Sequence, residues 1–436
     1  MSTTVASTQR RITRLATLTA VHRAFHWLHL HQLQLRRWQL DLVRIPAPPF
    51  GESARAAWFF DRFHSLGLTN IHIDDAGNVL AELAPNTSDL PAPSIAHSRN
   101  PLVSDPRSLL PVVLISAHLD TVFPTGTDCN PVELEDAPRI YAPGICDNAA
   151  GLSALLGIAA ALRYAHITPP IPILFAANVG EEGEGDLRGM RHLFERGPYS
   201  RRISSAIALE GSGTTAVVTR ALGSLRFRVT VTGPGGHSWT DSGTPNPILI
   251  LSQALTTIAN LELPTDPATI INVGHISGGT SINSIPETAT ALLDLRSTDP
   301  AQLLATATTI HQIFDDLLSS FATLKTTSCP PKLLIETIGN RPAATLPDDS
   351  PILQTIRAVD RHLNLRTELR LGSTDANIPL SRGIPAIAIG AGGTGGGIHT
   401  LQEWYDPTGR EIALRRILLT LLDTTQTLAE HPSTPS

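Results

Sequence analysis

With 436 residues, 42% of them hydrophobic and 17% charged, the chain has a globular composition and is too long for one ordinary core, so two domains are expected. A net charge of −6 argues against nucleic acid as the main partner, and no window of about 18 uninterrupted apolar residues offers a membrane span. Three cysteines, Cys129, Cys146 and Cys329, are too few and scattered for a disulfide framework, which points to a reducing, cytoplasmic setting.

Residues 1–40 hold six arginines (10, 11, 14, 23, 36 and 37) and no acid. Such a composition serves a transit segment as well as an ordinary first helix. We read a helix, because from residue 20 onward the pattern looks structural, and no continuous apolar run suggests a secretory signal. "HRAFH" (22–26) sets two histidines at i, i+4. No Glu follows the first, so the metalloprotease helix motif is absent. With His29 and His31 the expectation is a histidine-decorated helix face.

Farther along, "NIHIDDAGNVLAEL" reads as a hairpin with Gly77 in its turn. Residues 87–110 are rich in Pro and Ser and predict a surface excursion. "PVVLISAHLD" is a buried strand with a polar end. "DNAAGLSALLGIAAALRYA" (147–165) has the content of a core helix. "IPILFAAN", "SSAIALEG" and "IPAIAIG" are short apolar runs of the parallel-sheet kind. The pattern predicts an α/β domain, with a mixed, mostly parallel sheet between helices, whose polar residues gather at strand C-terminal ends.

Between about 223 and 338 the pattern changes. "LRFRVTVTG" alternates, "NPILILSQALTTIANLEL" is helical, and "TIINVGHIS" and "ETATALLDLRS" are strand-like. "PAQLLATATTIHQIFDDLLSSFA" is helical and "PKLLIETIG" is a last strand. The order β-α-β-β-α-β is a split-βαβ, ferredoxin-like unit. We therefore expect a discontinuous domain of residues 1–222 and 339–436, interrupted by an inserted domain of residues 223–338.

The polar strand ends carry the chemistry. His118 and Asp120 sit in "SAHLDTV", Asp147 in "GICDNAAG", and the adjacent Glu181 and Glu182 in "GEEGEG". Glu210 sits in "ALEGSG" and His399 in "GGGIHTLQEW". Each alone has an ordinary reading, such as a helix N-cap for Asp147 or an exposed acidic loop for the glutamate pair. Together at one sheet edge they are the donor set of two divalent metal ions. Imidazole nitrogen and carboxylate oxygen suit Zn²⁺ best, with Mn²⁺ and Co²⁺ as alternatives. A carboxylate can bridge two ions about 3.5–4 Å apart, so five ligands can fill both sites.

These motifs resemble the di-zinc exopeptidase and deacylase family, metallopeptidase family twenty. The resemblance runs from "LVRIPAPPFGE" through "HLDTV", "GxxDxxxG", "EEG" and "GPGGHS" to "GSTDANIPLSRGIPAIAIG" and "HTLQEWYD", nearly the whole chain. It implies that His118, Asp147 and Glu210 hold one ion, and Asp147, Glu182 and His399 the other, with Asp147 bridging. It implies that Glu181 is the general base and that Asp120 orients the His118 imidazole. It further implies a homodimer paired through the inserted lid, in which His237 reaches the other copy's site and stabilises the oxyanion. Asn283 and Arg296 would bind polar groups of the substrate.

The sequence departs from the family pattern in places. Asn148 and Ala149 stand where many relatives carry Asp and Lys, and the resemblance implies a cis Asp147–Asn148 bond. "DNAAG" is also found in zinc aminopeptidases without a lid, which "GPGGHS" argues against. Glu210, where dipeptidases tend to have Asp, leans toward a carboxypeptidase or deacylase. "TDAN", ending in Asn377 rather than Arg, leans back toward peptidases. The expectation is hydrolysis of a peptide or N-acyl amide bond in a small substrate, peptidase first and deacylase as the alternative. A catalytically silent metal-binding homologue is the remaining reading. "GAGGTGGG" (390–397) lacks the Lys-Ser/Thr of a phosphate loop and reads as close backbone approach before His399.

Overall fold

A computed structural model describes residues 2–85, 110–133, 138–322 and 330–431. The expected excursion at 87–110, apart from Leu110, and Cys329 lie outside the described residues. The chain divides into two compact units, 1–219 with 345–436 and 220–344. The sequence put those junctions at 222/223 and 338/339. No helix among the described residues is long and apolar enough to cross a membrane.

The first unit is built on a mixed sheet. Its centre runs in the order Val79–Leu83, Ile173–Asn178, Val112–His118, Ile203–Leu209 and Ala386–Ile389. The last four are mutually parallel, so their C-terminal ends share one edge. They are buried runs of Val, Ile, Leu and Ala, as a sheet covered on both faces requires. At the margin, Thr69–Ile73 and Val79–Leu83 pair as the expected hairpin, with Gly77 at φ +100.

The helix Ala149–Tyr164 is buried continuously from Ala149 to Leu162. A helix apolar all round must be covered all round. Here the strand Val112–His118 lies on one side, and the helices Thr19–Leu30 and Gln32–Val43 on another. The N-terminal region thus forms three helices, Ser2–Ala16, Thr19–Leu30 and Gln32–Val43, where the sequence suggested a single first helix. The second break falls at His31 (φ −104, ψ 24), whose ring stacks on Trp27 with centroids 4.2 Å apart.

A small four-stranded sheet pairs Thr394–Gly396 with Trp404–Asp406, and the latter with Ile140–Tyr141. It ties the glycine-rich loop carrying His399 to the segment leading into Asp147. Gly395 must be glycine, because a Cβ there would stand 2.4 Å from the Cys146 sulfur.

The second unit has a four-stranded antiparallel sheet ordered Thr269–Gly278, Thr288–Ser297, Gly223–Thr232, Lys332–Arg341. With the helices Pro247–Ala259 and Pro300–Ala322 this is the β-α-β-β-α-β order expected from the pattern. Its own core includes Phe227, Val229, Ile250, Leu293, Ile310 and Phe314.

A buried ion pair locks two helices of the first unit. Arg416, on Arg410–Glu430, donates from Nε and Nη2 to the Asp360 carboxylate at 2.6 and 2.8 Å, and both side chains are 1% exposed. Removing one member strands a charge in the interior. We predict that Asp360→Ala lowers unfolding free energy by about 3–5 kcal/mol in chemical denaturation. Glu368→Ala, which breaks the exposed pair with Arg370, should leave the denaturation midpoint essentially unchanged.

Candidate metal centre

Three adjacent parallel strands deliver the first donors. His118 ends Val112–His118, Glu210 follows Ile203–Leu209, and Gly180, Glu181 and Glu182 follow Ile173–Asn178 just past Val179. The small sheet adds His399, and the turn before the Ala149–Tyr164 helix adds Asp147. The Asp147–Asn148 peptide is cis. Asn148 then caps the helix. Its Oδ1 accepts from Gly151 N and Gly211 N, each at 3.1 Å, and its Nδ2 donates to Leu209 O at 2.8 Å. A Cβ on Gly151 would sit 2.1 Å from that Oδ1, which accounts for the last glycine of GxxDxxxG.

Asp147 is the centre of the arrangement. His118 Nε2 lies 3.0 Å from its Oδ1, and His399 Nε2 lies 3.2 Å from its Oδ2. Glu210 Oε1 is 3.2 Å from His118 Nε2, and Glu182 Oε1 is 2.9 Å from His399 Nε2. The two imidazoles thus face opposite oxygens of one carboxylate, and each also faces a second carboxylate. His118 Nδ1 donates to the Asp120 carbonyl at 3.0 Å, which leaves the Nε2 lone pair turned into the site when the ring is neutral.

The electrostatics ask for positive charge. Burial opposes protonation of His118, yet Glu210, Asp120 and Asp147 hold its pKa well above the usual histidine value. Hydrogen bonds to Asp147 and Glu182 raise His399 to about 10. Burial would raise Asp147, but its hydrogen bonds to both imidazoles bring it below the usual carboxylate range. Burial lifts Glu210 to about 7. Both rings are drawn toward the cationic form by the carboxylates around them.

Divalent cations fit this demand. Donors about 2.0–2.2 Å from a tetrahedral ion stand about 3.4 Å from one another. The observed nitrogen–oxygen separations of 2.9–3.2 Å are close to that spacing. The second Glu210 oxygen, Oε2, is buried with no hydrogen-bond partner, and a buried carboxylate oxygen needs one. His118, Asp147 and Glu182 offer donor atoms within 4.8 Å of one another, a group that spans both expected ligand sets. A cavity of about 990 Å³ bordered by Ile203, Arg382 and Pro385 lies toward the opposite, N-terminal ends of the strands. It contains none of these donors, so the chemistry belongs to the carboxylate cluster.

Two supporting groups, Glu403 and Arg55, escaped sequence reasoning. Asp120, expected to orient His118, faces that imidazole and also holds the glutamate loop. Oδ1 accepts from Glu181 N at 3.0 Å and Oδ2 from Glu182 N at 2.7 Å, while Oδ1 stands 3.7 Å from His118 Nδ1. Glu403, wholly buried, accepts from Gly144 N, Cys146 N and Asp147 N at 2.8–2.9 Å. Burial raises its pKa to about 7. Arg55, also buried, donates to Ile45 O and Leu119 O and pins the chain just past His118. Glu403 had a visible signal, four residues beyond His399; Arg55 had none.

In the second unit, Gly236–His237 pairs with Ser284–Ile285, and Ser238 N donates to Asn283 O at 3.1 Å. This brings His237 and Asn283 together. His237 Nδ1 accepts from Trp239 N at 3.1 Å, so Nε2 carries the proton and can donate. Arg296 lies at the far end of its strand from Thr288, about 27 Å along it, and donates to Asp294 Oδ2 at 2.8 Å. Asn377 is buried and accepts from Thr374 N, so it forms part of the loop.

Comparison with known proteins gives consistent relatives. The profile of peptidase family M20/M25/M40 matches residues 114–423. A succinyl-diaminopimelate desuccinylase from Helicobacter hepaticus is 25% identical over 307 residues, covering 66% of this chain and 74% of the relative. Among solved structures, a tripeptidase from Staphylococcus aureus superposes with a TM-score of 0.69 at 21% identity, covering 90% of this chain and 98% of that one. A dinuclear metal-binding peptidase of the same family from Bacillus subtilis superposes with a TM-score of 0.63 at 15% identity, covering 91% and 98%.

We predict that Asp147→Asn, which keeps the shape and removes the charge, leaves less than one ion per chain at this centre by elemental analysis. Glu403→Gln should weaken metal binding by about 10–100-fold in equilibrium dialysis, because it loosens the loop that aims Asp147.

Proposed function

This chain belongs to peptidase family M20/M25/M40, and on that premise we propose that it is a two-metal hydrolase of small peptides. One observation carries this reading: His118 and His399 approach opposite oxygens of Asp147. Two imidazoles sharing one carboxylate are what a bridged pair of ions needs. His118, Asp147 and Glu210 would hold one ion, and Asp147, Glu182 and His399 the other. Zn²⁺ suits this nitrogen and oxygen set best.

When bound, a pair of divalent cations polarises the amide carbonyl and acidifies water. The protein does the rest. Glu181, next to a metal ligand, takes the proton of the attacking water and passes it to the nitrogen of the leaving amine as the C–N bond breaks. Asp120 fixes the glutamate loop through the main-chain N–H groups of both residues, so the base and the ligand keep one relative placement. In the homodimer, His237 of the partner subunit, with its proton on Nε2, would supply a donor for the oxyanion. A homodimer through the second unit is part of this proposal, as is the use of Asn283 and Arg296 on substrate polar groups.

Peptide bonds come ahead of N-acyl amides for two reasons. Asn377 stands where a deacylase would often carry an arginine, and it is buried within its own loop. The tripeptidase similarity adds to this, while the desuccinylase similarity keeps N-acyl amino acids as the second reading.

The test is Glu181→Gln assayed on di- and tripeptides and on N-acetyl and N-succinyl amino acids. We predict that metal content is unchanged and turnover falls by about 10²–10⁴-fold. Turnover within a few-fold of wild type would remove Glu181 as the base. Wild-type activity on N-acyl amino acids alone would select the deacylase. His237→Ala should lower kcat by about 10²–10³-fold with little change in thermal stability.

A further inference from the structure

The turn at residues 48–51 holds a large side chain in an unfavourable place. Gly51 N donates to Pro48 O at 2.8 Å, which closes a four-residue turn with Pro49 and Phe50 at its centre. Proline fixes a negative φ at the first central position, and Phe50 follows at φ +68. That is the pattern of a type II turn, whose third residue is ordinarily Gly or Asn, because a bulky residue is strained at positive φ. The glycine of this turn comes one residue later. Nor does the ring serve the core, since Phe50 is 68% exposed.

Arg188 holds the ring in place. Its guanidinium carbon lies 4.9 Å from the Phe50 ring centroid. The guanidinium is itself fixed, with Nη2 donating to Glu52 Oε1 at 2.6 Å and Nη1 to Ala76 O at 2.7 Å. The ring is thus backed by an anchored cation while the rest of its surface meets water.

Contacts on two sides place this turn at the rim of the carboxylate centre. The Arg188 stem runs along Gly180, where a Cβ would stand 2.5 Å from Arg188 Cγ, and Glu181 comes next. On the other side, Thr121 N, just past Asp120, donates to Ala47 O at 2.8 Å. Arg55 holds Ile45 O as well as Leu119 O. The turn is therefore fastened to both segments that carry site residues, His118–Asp120 and Glu181–Glu182. All of these residues belong to the first unit.

Building on the hydrolase reading above, we propose that Phe50 is a specificity-determining residue, its exposed ring a platform for a large apolar side chain on the substrate residue flanking the scissile amide. Backbone strain persists where function holds it in place. An aromatic ring offers broad contact at low entropic cost, and one already fixed from behind loses little freedom on binding. The cation behind it is matched by Glu52, so the platform selects apolar surface rather than charge.

The test compares kcat/KM of wild type, Phe50→Gly and Phe50→Tyr on substrates that differ in one side chain. These are Gly-Gly against Phe-Gly, Leu-Gly, Gly-Phe and Gly-Leu, and N-acetyl-glycine against N-acetyl-phenylalanine. Wild type should prefer the apolar member of at least one pair, and Phe50→Gly should lower that preference by at least about tenfold. Phe50→Tyr keeps the ring and should hold the preference within about threefold. Thermal unfolding separates a binding ring from a structural one. Phe50→Gly relieves the left-handed strain, so its Tm should match or exceed that of wild type. A clearly lowered Tm would make the ring a packing element and overturn the proposal. No apolar preference in wild type, or one unchanged in Phe50→Gly, would overturn it and leave the hydrolase reading standing. A wild type inert on every substrate would overturn that reading and this one with it.

Discussion

The structure depends on one electrostatic constraint, the concentration of carboxylates around Asp147. Asp147, Glu182 and Glu210 converge on two imidazoles, with Asp120 buried behind them. Negative charge held this closely in a low-dielectric setting is unfavourable without compensating cations. The raised pKa values of His118 and His399 express the same demand. Divalent ions meet it more fully than protons do, because each brings two charges and takes several donors at once.

The surrounding chain is arranged to keep that unfavourable set in place. Backbone N–H groups are spent on carboxylates: Asp120 holds two and Glu403 three. Arg55 reaches the same neighbourhood from a distant helix and fastens carbonyls. Such fixed dipoles cost no reorganisation when substrate arrives, which makes the site rigid before chemistry starts. The glycines of the 390–397 loop serve the same end. They let His399, itself at φ +65, approach the sheet edge through a space that side chains would fill.

Much of this was legible in the sequence. Strand ends bearing His118, Glu182 and Glu210 were readable because buried parallel strands are continuous apolar runs, and a polar residue marks where each leaves the core. The β-α-β-β-α-β order of the second unit was readable from its alternation and helical periods. The break at His31 was not, since a histidine is compatible with a helix, and only the structure shows its backbone leaving the helical region at φ −104, ψ 24. Asp120 was read as a partner of the His118 imidazole; its further contacts with the main chain of Glu181 and Glu182 were not legible, because they are set by where the glutamate loop returns, which is a tertiary fact. Arg55 carries no local pattern at all.

Crystals of the zinc-loaded protein, examined by anomalous scattering at the zinc edge, test the account most directly. It predicts two peaks about 3.5–4 Å apart, one beside His118 and Glu210, the other beside His399 and Glu182, with one Asp147 oxygen toward each. A single peak, or a pair that Asp147 does not bridge, would contradict it.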